Sequence, residues 1–284
     1  MNAHTIRHAR AFTLVEALAA AILLVLLLAV LFPMAHRARL ADGLEQSIAN
    51  VTKIVQATQV YHFDHADQVP MRGCGYSNGQ ITGGWDTWNY GGKNCSSFWQ
   101  TYSGGTWDES AYGRFLNPYL YPAKIERPPG YVNTGSGLVW TFNDGNPTSQ
   151  QRAALEISVF KSPGDVSTRQ RNWPTSTPGV SAYDDVGTSY LVNMKWWDAP
   201  GLPSSFSQRF SEGTRRIGLA FSGANPNFVF VNDQTADVVA GGNIQIPGEF
   251  GTMNASVMGF ADGRVAYLPV SPGLFSGPGY TFIP

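Results

Sequence analysis

The pattern of apolar and polar positions begins with one long apolar run near the N-terminus. The 23 residues from Phe12 to Met34 contain a single charged side chain, Glu16. At about 1.5 Å per residue, a helix of this length crosses a hydrocarbon core of roughly 30 Å. The pattern therefore predicts a transmembrane helix over residues 12–35. A carboxylate at the centre of a bilayer costs about 2.5–3.5 kcal/mol, so Glu16 calls for a partner or a function.

A second pattern follows the apolar run, with apolar residues recurring at steps of three and four. It predicts an amphipathic helix over residues 36–69 that continues the span and stops before Pro70. We expect the apolar stripe to pack against a sheet of the same chain, although a coiled coil of only three heptads would show the same spacing. The stripe consists of Leu40, Leu44, Ile48, Val51, Val55, Thr58 and Tyr61.

The rest of the chain changes character near residue 150. Residues 70–150 are rich in Gly, Asn, Trp and Tyr and show little periodicity, which predicts a loop region. Its aromatic side chains could stack on sugars, or they could pack the loops or a subunit interface. Residues 151–284 are predicted to form a β-rich part with strands at 154–160, 188–197, 216–221 and 227–233 and a hairpin that turns at Ala261-Asp262-Gly263. A helix followed by antiparallel strands is an α+β fold.

Charge and cysteine content bear on which partners the protein binds and on whether its compartment is oxidising. The 19 basic and 20 acidic residues give a formal net charge of −1, so we expect no nucleic-acid partner. Cys74 and Cys95 are separated by twenty polar, Gly-rich residues. Outside the cytoplasm a disulfide between them would contribute about 3 kcal/mol through loop closure. Two free buried thiols are the alternative.

The N-terminal residues carry a resemblance to a known family. Residues 1–11 are short and basic, the apolar run lacks a following A-x-A site, and AFTLVEALAAAILLVLLLAVLFP resembles the class III signal of type IV prepilins and type II secretion pseudopilins. The resemblance implies that a prepilin peptidase cuts the leader between Ala11 and Phe12 and that Phe12 is then N-methylated. Where the family prefers Gly, this chain has Ala11, so we expect slower cleavage.

The same resemblance implies roles and partners. Glu16 becomes the fifth mature residue, which in the family meets the N-terminal amine of a neighbouring subunit and sets the axial register. Pro33 stands where many pilins carry a helix-bending proline. The implied partners are other copies or related pilins, the assembly machinery of the inner membrane and the lipid bilayer. The body would lie in the periplasm, before assembly into a pilus-like filament or pseudopilus. The alternative function is an uncleaved, membrane-anchored surface protein that binds glycans.

The C-terminal part extends the resemblance to a second group. GFADGRVAYL, FKSPGD and GTSYLVNM are similar to motifs of the pilin-like proteins of planctomycetes and verrucomicrobia, which share a His-x9-Asp-Gly pattern. Two positions depart from that group, because Thr252 stands at the His position and Ser162 at the position of a Cys. The roles of that His and Cys therefore do not carry over.

Four acids are candidate ligands for calcium, which takes six to eight oxygens. They are Asp165, Asp184, Asp185 and Asp262. The alternative for Asp262 is plain turn chemistry, because Asp-Gly suits tight turns. No catalytic Ser, phosphate-loop or Cys/His pattern appears, so we expect no enzymatic activity and no cofactor other than a possible calcium ion.

Overall fold

A computed structural model describes residues 13–77, 80–102, 107–126, 131–133, 138–140 and 152–284 of the chain. Within these ranges, the side chains of strand residues 74–84 and 131–140 are not described. The chain divides into two units, one ending at Asp42 and one running from Gly43 to Pro284, the body. The fold class is α+β, with a long N-terminal apolar helix and antiparallel sheets, as the sequence predicted.

Helix α1 comprises 51 residues, from Leu14 to Asp64. It contains the predicted apolar run from Leu14 onward and much of the predicted amphipathic segment in one helix, and it continues through Pro33. It ends before the predicted stop at Pro70, because Ala66 (φ 50°) and Asp67 (φ 65°) adopt left-handed conformations that a right-handed helix cannot include.

The other elements follow in the order of the chain. The helices are α2 (Asn117–Leu120), α3 (Ala182–Val186), α4 (Phe206–Leu219) and α5 (Gln234–Gly242). The strands are β1 (Gly73–Ser77), β2 (Gln80–Trp85), β3 (Tyr131–Asn133), β4 (Leu138–Trp140), β5 (Ser167–Thr168), β6 (Thr177–Pro178), β7 (Tyr190–Val192), β8 (Val229–Asp233), β9 (Ala255–Phe260), β10 (Val265–Pro269), β11 (Ser276–Gly277) and β12 (Tyr280–Thr281). A four-stranded antiparallel sheet has the order β10-β9-β8-β7, and the remaining strands described form two-stranded pairs.

The strand predictions had mixed success. Strands β8 and β7 lie within two of the predicted segments, and the β9–β10 hairpin turns at the predicted Ala261-Asp262-Gly263, where Gly263 has φ +94°. The strand predicted at 154–160 is wrong, because that segment contains a short 3₁₀ turn at Ser158–Phe160. The strand predicted at 216–221 is also wrong, because this segment continues α4 into a π-turn.

Within the body, α1 packs its apolar stripe on one face of the four-stranded sheet. Val51, Ile54 and Val55 are fully buried there. The contact depends on Gly259 of β9, since a Cβ atom at this position would lie only 2.4 Å from a methyl carbon of Val55. Each fully buried aliphatic side chain contributes about 1.5–3 kcal/mol, so this seat is a large part of the body's stability. The expected packing of helix on sheet is confirmed.

The opposite face of the sheet is also covered. Helix α5 contacts β8 and β9 and forms a second apolar cluster with the C-terminal residues Tyr280 and Phe282. Every residue of β8 and β9 is buried as a result. Burial on both faces explains why these strands show no clean alternation of apolar and polar residues.

The part of residues 70–150 that the structure describes is more ordered than the predicted loop region. Tyr90 and Leu116 are fully buried, and Arg114, 1% exposed, donates hydrogen bonds to the carbonyl oxygens of Trp88, Gly91 and Val186 at 2.7–2.9 Å. A buried arginine that satisfies carbonyls from separate segments holds loops together without regular strands.

Candidate functional site

The start of α1 places Glu16 in a local hydrogen-bond network. Its Oε2 accepts hydrogen bonds from the backbone N–H and the hydroxyl of Thr13, both at 2.9 Å, and its own N–H donates to the Thr13 hydroxyl at 3.3 Å. This reciprocal pattern is a capping box, in which each side chain satisfies a free N–H at the helix start. The T-x-x-E spacing of residues 13–16 is the sequence signal for this cap.

The leader and the predicted cut lie outside the described residues. Ala11 and Phe12 precede Thr13, the first residue that the structure describes. The predictions of cleavage and N-methylation there stay predictions. Pro33 lies inside α1 and does not end the helix.

The first part of α1 presents an apolar surface with no protein around it. Fourteen large apolar side chains between Leu14 and Met34 are 40% or more exposed. The helix is long and apolar enough to cross a membrane, and none of its most apolar stretch is buried inside the protein. An apolar surface of this extent is not stable in water, so lipid or other protein must cover it.

The predicted disulfide is not formed. Cys95 is a free and fully buried thiol, and the side chain of Cys74 lies outside the described residues. The sulfur of Cys95 instead accepts hydrogen bonds from Arg114 Nη2 at 3.3 Å and from the backbone N–H of Glu109 at 3.4 Å. Burial raises the pKa of this thiol, which therefore stays protonated and unreactive. The spacing of the two cysteines in the sequence was compatible with a disulfide. It gave no information about the tertiary partners of Cys95.

The four acids proposed as calcium ligands have separate protein partners. Asp165 accepts backbone N–H bonds from the start of α3 at 2.9 Å, and Asp184 pairs with Lys93 at 2.7 Å. Asp185 pairs with the guanidinium of Arg171 at 2.6 Å. Asp262 accepts the N–H of Arg264 in the hairpin turn. In the part of the chain that the structure describes, no group of three or more His, Cys, Asp or Glu side chains could hold a metal ion.

A chain of polar groups connects α1, through β7, to the segment that precedes β9. The hydroxyl of Ser47 lies 3.0 Å from that of Tyr190 on β7, and both residues are fully buried. The Tyr190 hydroxyl also interacts with Ser162, whose hydroxyl donates to the carboxylate of Glu249. Ser162 is 2% exposed and is thus a buried residue with a structural role. Nothing in the sequence marked Glu249.

Glu249 lies at a surface cavity of about 180 Å³ that Asp165 also lines. Burial, together with the nearby charges of Asp233 and Asp165, raises the pKa of Glu249 well above its ordinary range. Burial also raises the pKa of Asp165, although hydrogen bonds from Ser189 and the start of α3 oppose the shift. Burial and the repulsion between nearby negative charges therefore both favour the protonated form of these two carboxyl groups.

A further buried acid lies on α5. Asp237 is 3% exposed, and neither of its carboxylate oxygens has a hydrogen-bond donor among the described residues. Burial raises its pKa to about 6, although the positive charge of Lys195 opposes the shift. Helical periodicity could have predicted that Asp237 lies on the buried face of α5. It could not have predicted that the carboxylate has no hydrogen-bond donor there.

Comparison with known proteins adds no relative. No protein-family model matches the chain, and no curated protein or solved structure is significantly similar to it.

Proposed function

We propose that this protein is a structural subunit of a pilus-like filament or a secretion pseudopilus, assembled after a prepilin peptidase cuts before Phe12. The observation that supports the proposal best is the contrast along α1. Its first part leaves its apolar side chains uncovered, and its second part is built into an α+β body. A subunit that first anchors in a bilayer and later packs among copies of itself needs both properties.

Glu16 has a defined place in this proposal. Its carboxylate caps the helix through Thr13 in the single chain. A carboxylate has about four lone-pair sites, so the cap leaves capacity for an ammonium group. The free amine of a neighbour's Phe12 supplies that group, and in an apolar bundle such a charge pair is far stronger than in water.

The first test is the intact mass and N-terminal sequence of the protein from membranes that contain a prepilin peptidase. We expect a chain that starts at N-methylated Phe12. The variant Ala11→Gly should increase the cleaved fraction, because Gly is the residue that the peptidase prefers. A chain that keeps residues 1–11 in both forms would contradict the proposal and favour the uncleaved, membrane-anchored protein.

The second test separates assembly from cleavage. Glu16→Gln keeps the shape of the side chain and removes its charge, so we expect normal cleavage and a loss of filaments or of crosslinked multimers. Glu45→Gln is the matched control, since Glu45 is an exposed acid on the same helix. Equal assembly of the two variants would remove the proposed role of Glu16.

A further inference from the structure

From its start to Asp42, helix α1 carries four side chains that are charged at neutral pH. They are Glu16, Arg37, Arg39 and Asp42. Glu16 caps the first turn. The other three follow the apolar stretch and are exposed, and among the described residues none of these three has a side-chain hydrogen bond or an ion pair. Three charges that the single chain leaves without a partner therefore border the exposed apolar stretch.

Arg37 and Asp42 lie on nearly opposite sides of the helix. An α-helix turns by about 100° per residue, so five positions separate these two residues by about 140° around the axis. They therefore cannot pair within one chain. Arg39 is three positions before Asp42 and lies about 60° from it, on the same side of the helix. The two arginines thus face in opposite directions.

An acid on one side of a helix and a base on the other match a shifted copy of the same helix. Copies that enter a membrane through the same N-terminal helix are parallel, and when two of them pack side by side, one side of the first meets the opposite side of the second. Asp42 of one copy then faces Arg37 of the next. They lie at the same height when the copies are shifted by five residues, about 7.5 Å. Packed helix axes are roughly 8–10 Å apart, a gap that an arginine side chain can cross.

Nearly the same shift is required at the other end of the apolar stretch. In the proposed filament Glu16 of one copy meets the amine of the next copy's Phe12, which is a shift of four residues, about 6 Å, in the same direction. In that register Asp42 lies only one residue, about 1.5 Å, from the height of the neighbour's Arg37. Glu16 and Asp42 are about 80° apart around the axis, so both border the same neighbour. Two distant acids therefore call for one register.

We propose that Asp42 of one copy pairs with Arg37 of the adjacent copy and that this pair, together with Glu16, fixes the axial register of the parallel helices. The inference rests on the proposed function, because only an assembled copy supplies the partner. Arginines at the end of an apolar span also suit the phosphates of lipid headgroups, but anionic lipids repel Asp42. Matched charges across an interface determine register and partner more than affinity.

The first test uses the full-length protein, assembled in membranes that contain a prepilin peptidase. Arg37→Lys introduces a primary amine that a carbodiimide joins to a carboxylate in contact with it. We expect a covalent dimer in which mass spectrometry finds residue 37 linked to residue 42, and adding Asp42→Asn should abolish this dimer. Arg39→Lys is the matched control, because Arg39 is equally exposed and faces the other way, so it should not give the dimer.

The second test exchanges the charges. Arg37→Asp and Asp42→Arg each place like charges together and should lower the filament yield at least about tenfold, whereas the double variant should restore most of it. Arg39→Asp combined with Asp42→Arg should not restore it. Normal cleavage of each variant excludes a failure of membrane insertion as the cause.

The outcomes separate this pair from the proposed function. Filaments that form without a link between residues 37 and 42 would overturn the pair and leave the proposed function standing. A cleaved parent that never assembles would overturn both. Equal losses of filaments from Arg37→Gln and Arg39→Gln would assign both arginines to lipid headgroups and would also overturn the pair.

Discussion

The two parts of α1 belong to one helix and have opposite surroundings. Between Leu14 and Met34 the large apolar side chains are exposed, whereas Val51, Ile54 and Val55 of the same helix are fully buried. Burial of apolar surface contributes about 25 cal/mol per Å². The second part obtains this contribution from its own sheet, whereas the first part does not obtain it within the single chain. One helix thus contains a part whose apolar side chains are buried by the chain itself and a part whose apolar side chains the chain does not bury.

Polar groups show the same difference. The body contains buried charges that are paired, such as Arg152 and Asp108, whose nitrogen and oxygen atoms lie 2.6 Å apart. In the first part of α1, the side-chain hydrogen bonds that the structure describes are those of Thr13 and Glu16. The body is therefore sensitive to single polar substitutions, and the apolar part is sensitive mainly at its first turn.

The largest effect is expected from Arg152→Ala. The change leaves the carboxylate of Asp108, which is fully buried, without its charge partner. Removing one member of a buried pair costs about 3–5 kcal/mol, which we expect as a lower free energy of unfolding of the body in urea. Arg152→Met combined with Asp108→Leu is the control and should recover most of the loss. A loss below about 1 kcal/mol for the single variant would contradict this account.

A smaller effect is expected where the helix meets the sheet. Gly259→Val introduces methyl groups where even a Cβ atom lies 2.4 Å from Val55. Overpacking of this kind costs about 1–3 kcal/mol, measurable as a lower urea midpoint and faster amide exchange in the second part of α1. Adding Val55→Ala removes the nearest of the three valine methyl groups around this position, so the double variant should lose less than the sum of the single variants. Strict additivity would show that α1 is not seated on Gly259.

Asp237 makes the stability of the body depend on pH. Its folded-state pKa of about 6 exceeds the unfolded value, so the folded chain binds the extra proton and its stability falls as pH rises from about 4 to 6. The groups that act on this pKa are Lys195, Asn232 and the backbone of Met194, which oppose the shift, and Asp233, which increases it. The free energy of unfolding of Asp237→Asn should equal that of the parent near pH 4 and exceed it by about 2–3 kcal/mol at pH 8.

The measurement is a series of urea titrations of parent and variant between pH 4 and 8. Taking the difference removes the contribution of other acids, such as Glu109, whose pKa burial raises to about 7. A difference that does not change with pH would show that Asp237 keeps its charge when folded.

The smallest effect is expected at the first turn. Thr13→Ala removes both hydrogen bonds of its hydroxyl and should cost about 1 kcal/mol locally. We expect faster amide exchange at residues 14–17 in micelles and an unchanged urea midpoint for the body. Thr13→Ser keeps the hydroxyl and should behave as the parent. A shifted midpoint would show that the first turn and the body are coupled.

Periodicity predicted the parts of this fold that depend on neighbours in sequence. The spacing of Leu44, Ile48 and Val51 identified the buried stripe of α1, and Asp262-Gly263 identified a turn that only a positive φ at Gly263 permits. The segment at 216–221 failed because six mostly apolar residues fit a strand as well as the end of a buried helix. Its amphipathic context in α4 decided the outcome.

Contacts between distant residues could not be predicted. Arg114 and Arg152 are polar residues whose burial depends on partners from other segments, and Glu249 pairs with Ser162, 87 positions away in the sequence. Cys95 shows the same limit, because its spacing from Cys74 suggested a bridge and its tertiary neighbours gave it hydrogen bonds instead. The capping box of Thr13 and Glu16 could have been predicted, since it depends on four consecutive residues.

The polar contacts of α1 with the body have a mechanical consequence. Asn50 donates to the carbonyl of Lys161 at 3.0 Å and Gln59 donates to that of Ala261 at 3.3 Å, while Ser47 meets the hydroxyl of Tyr190. Apolar contacts alone would allow the helix to shift by one turn along the sheet. Such a shift would leave the side chains of Asn50, Gln59 and Ser47 without these hydrogen-bond partners. A force applied along the helix axis would therefore act on the three hydrogen bonds at the same time. The helix would resist displacement until all three break together.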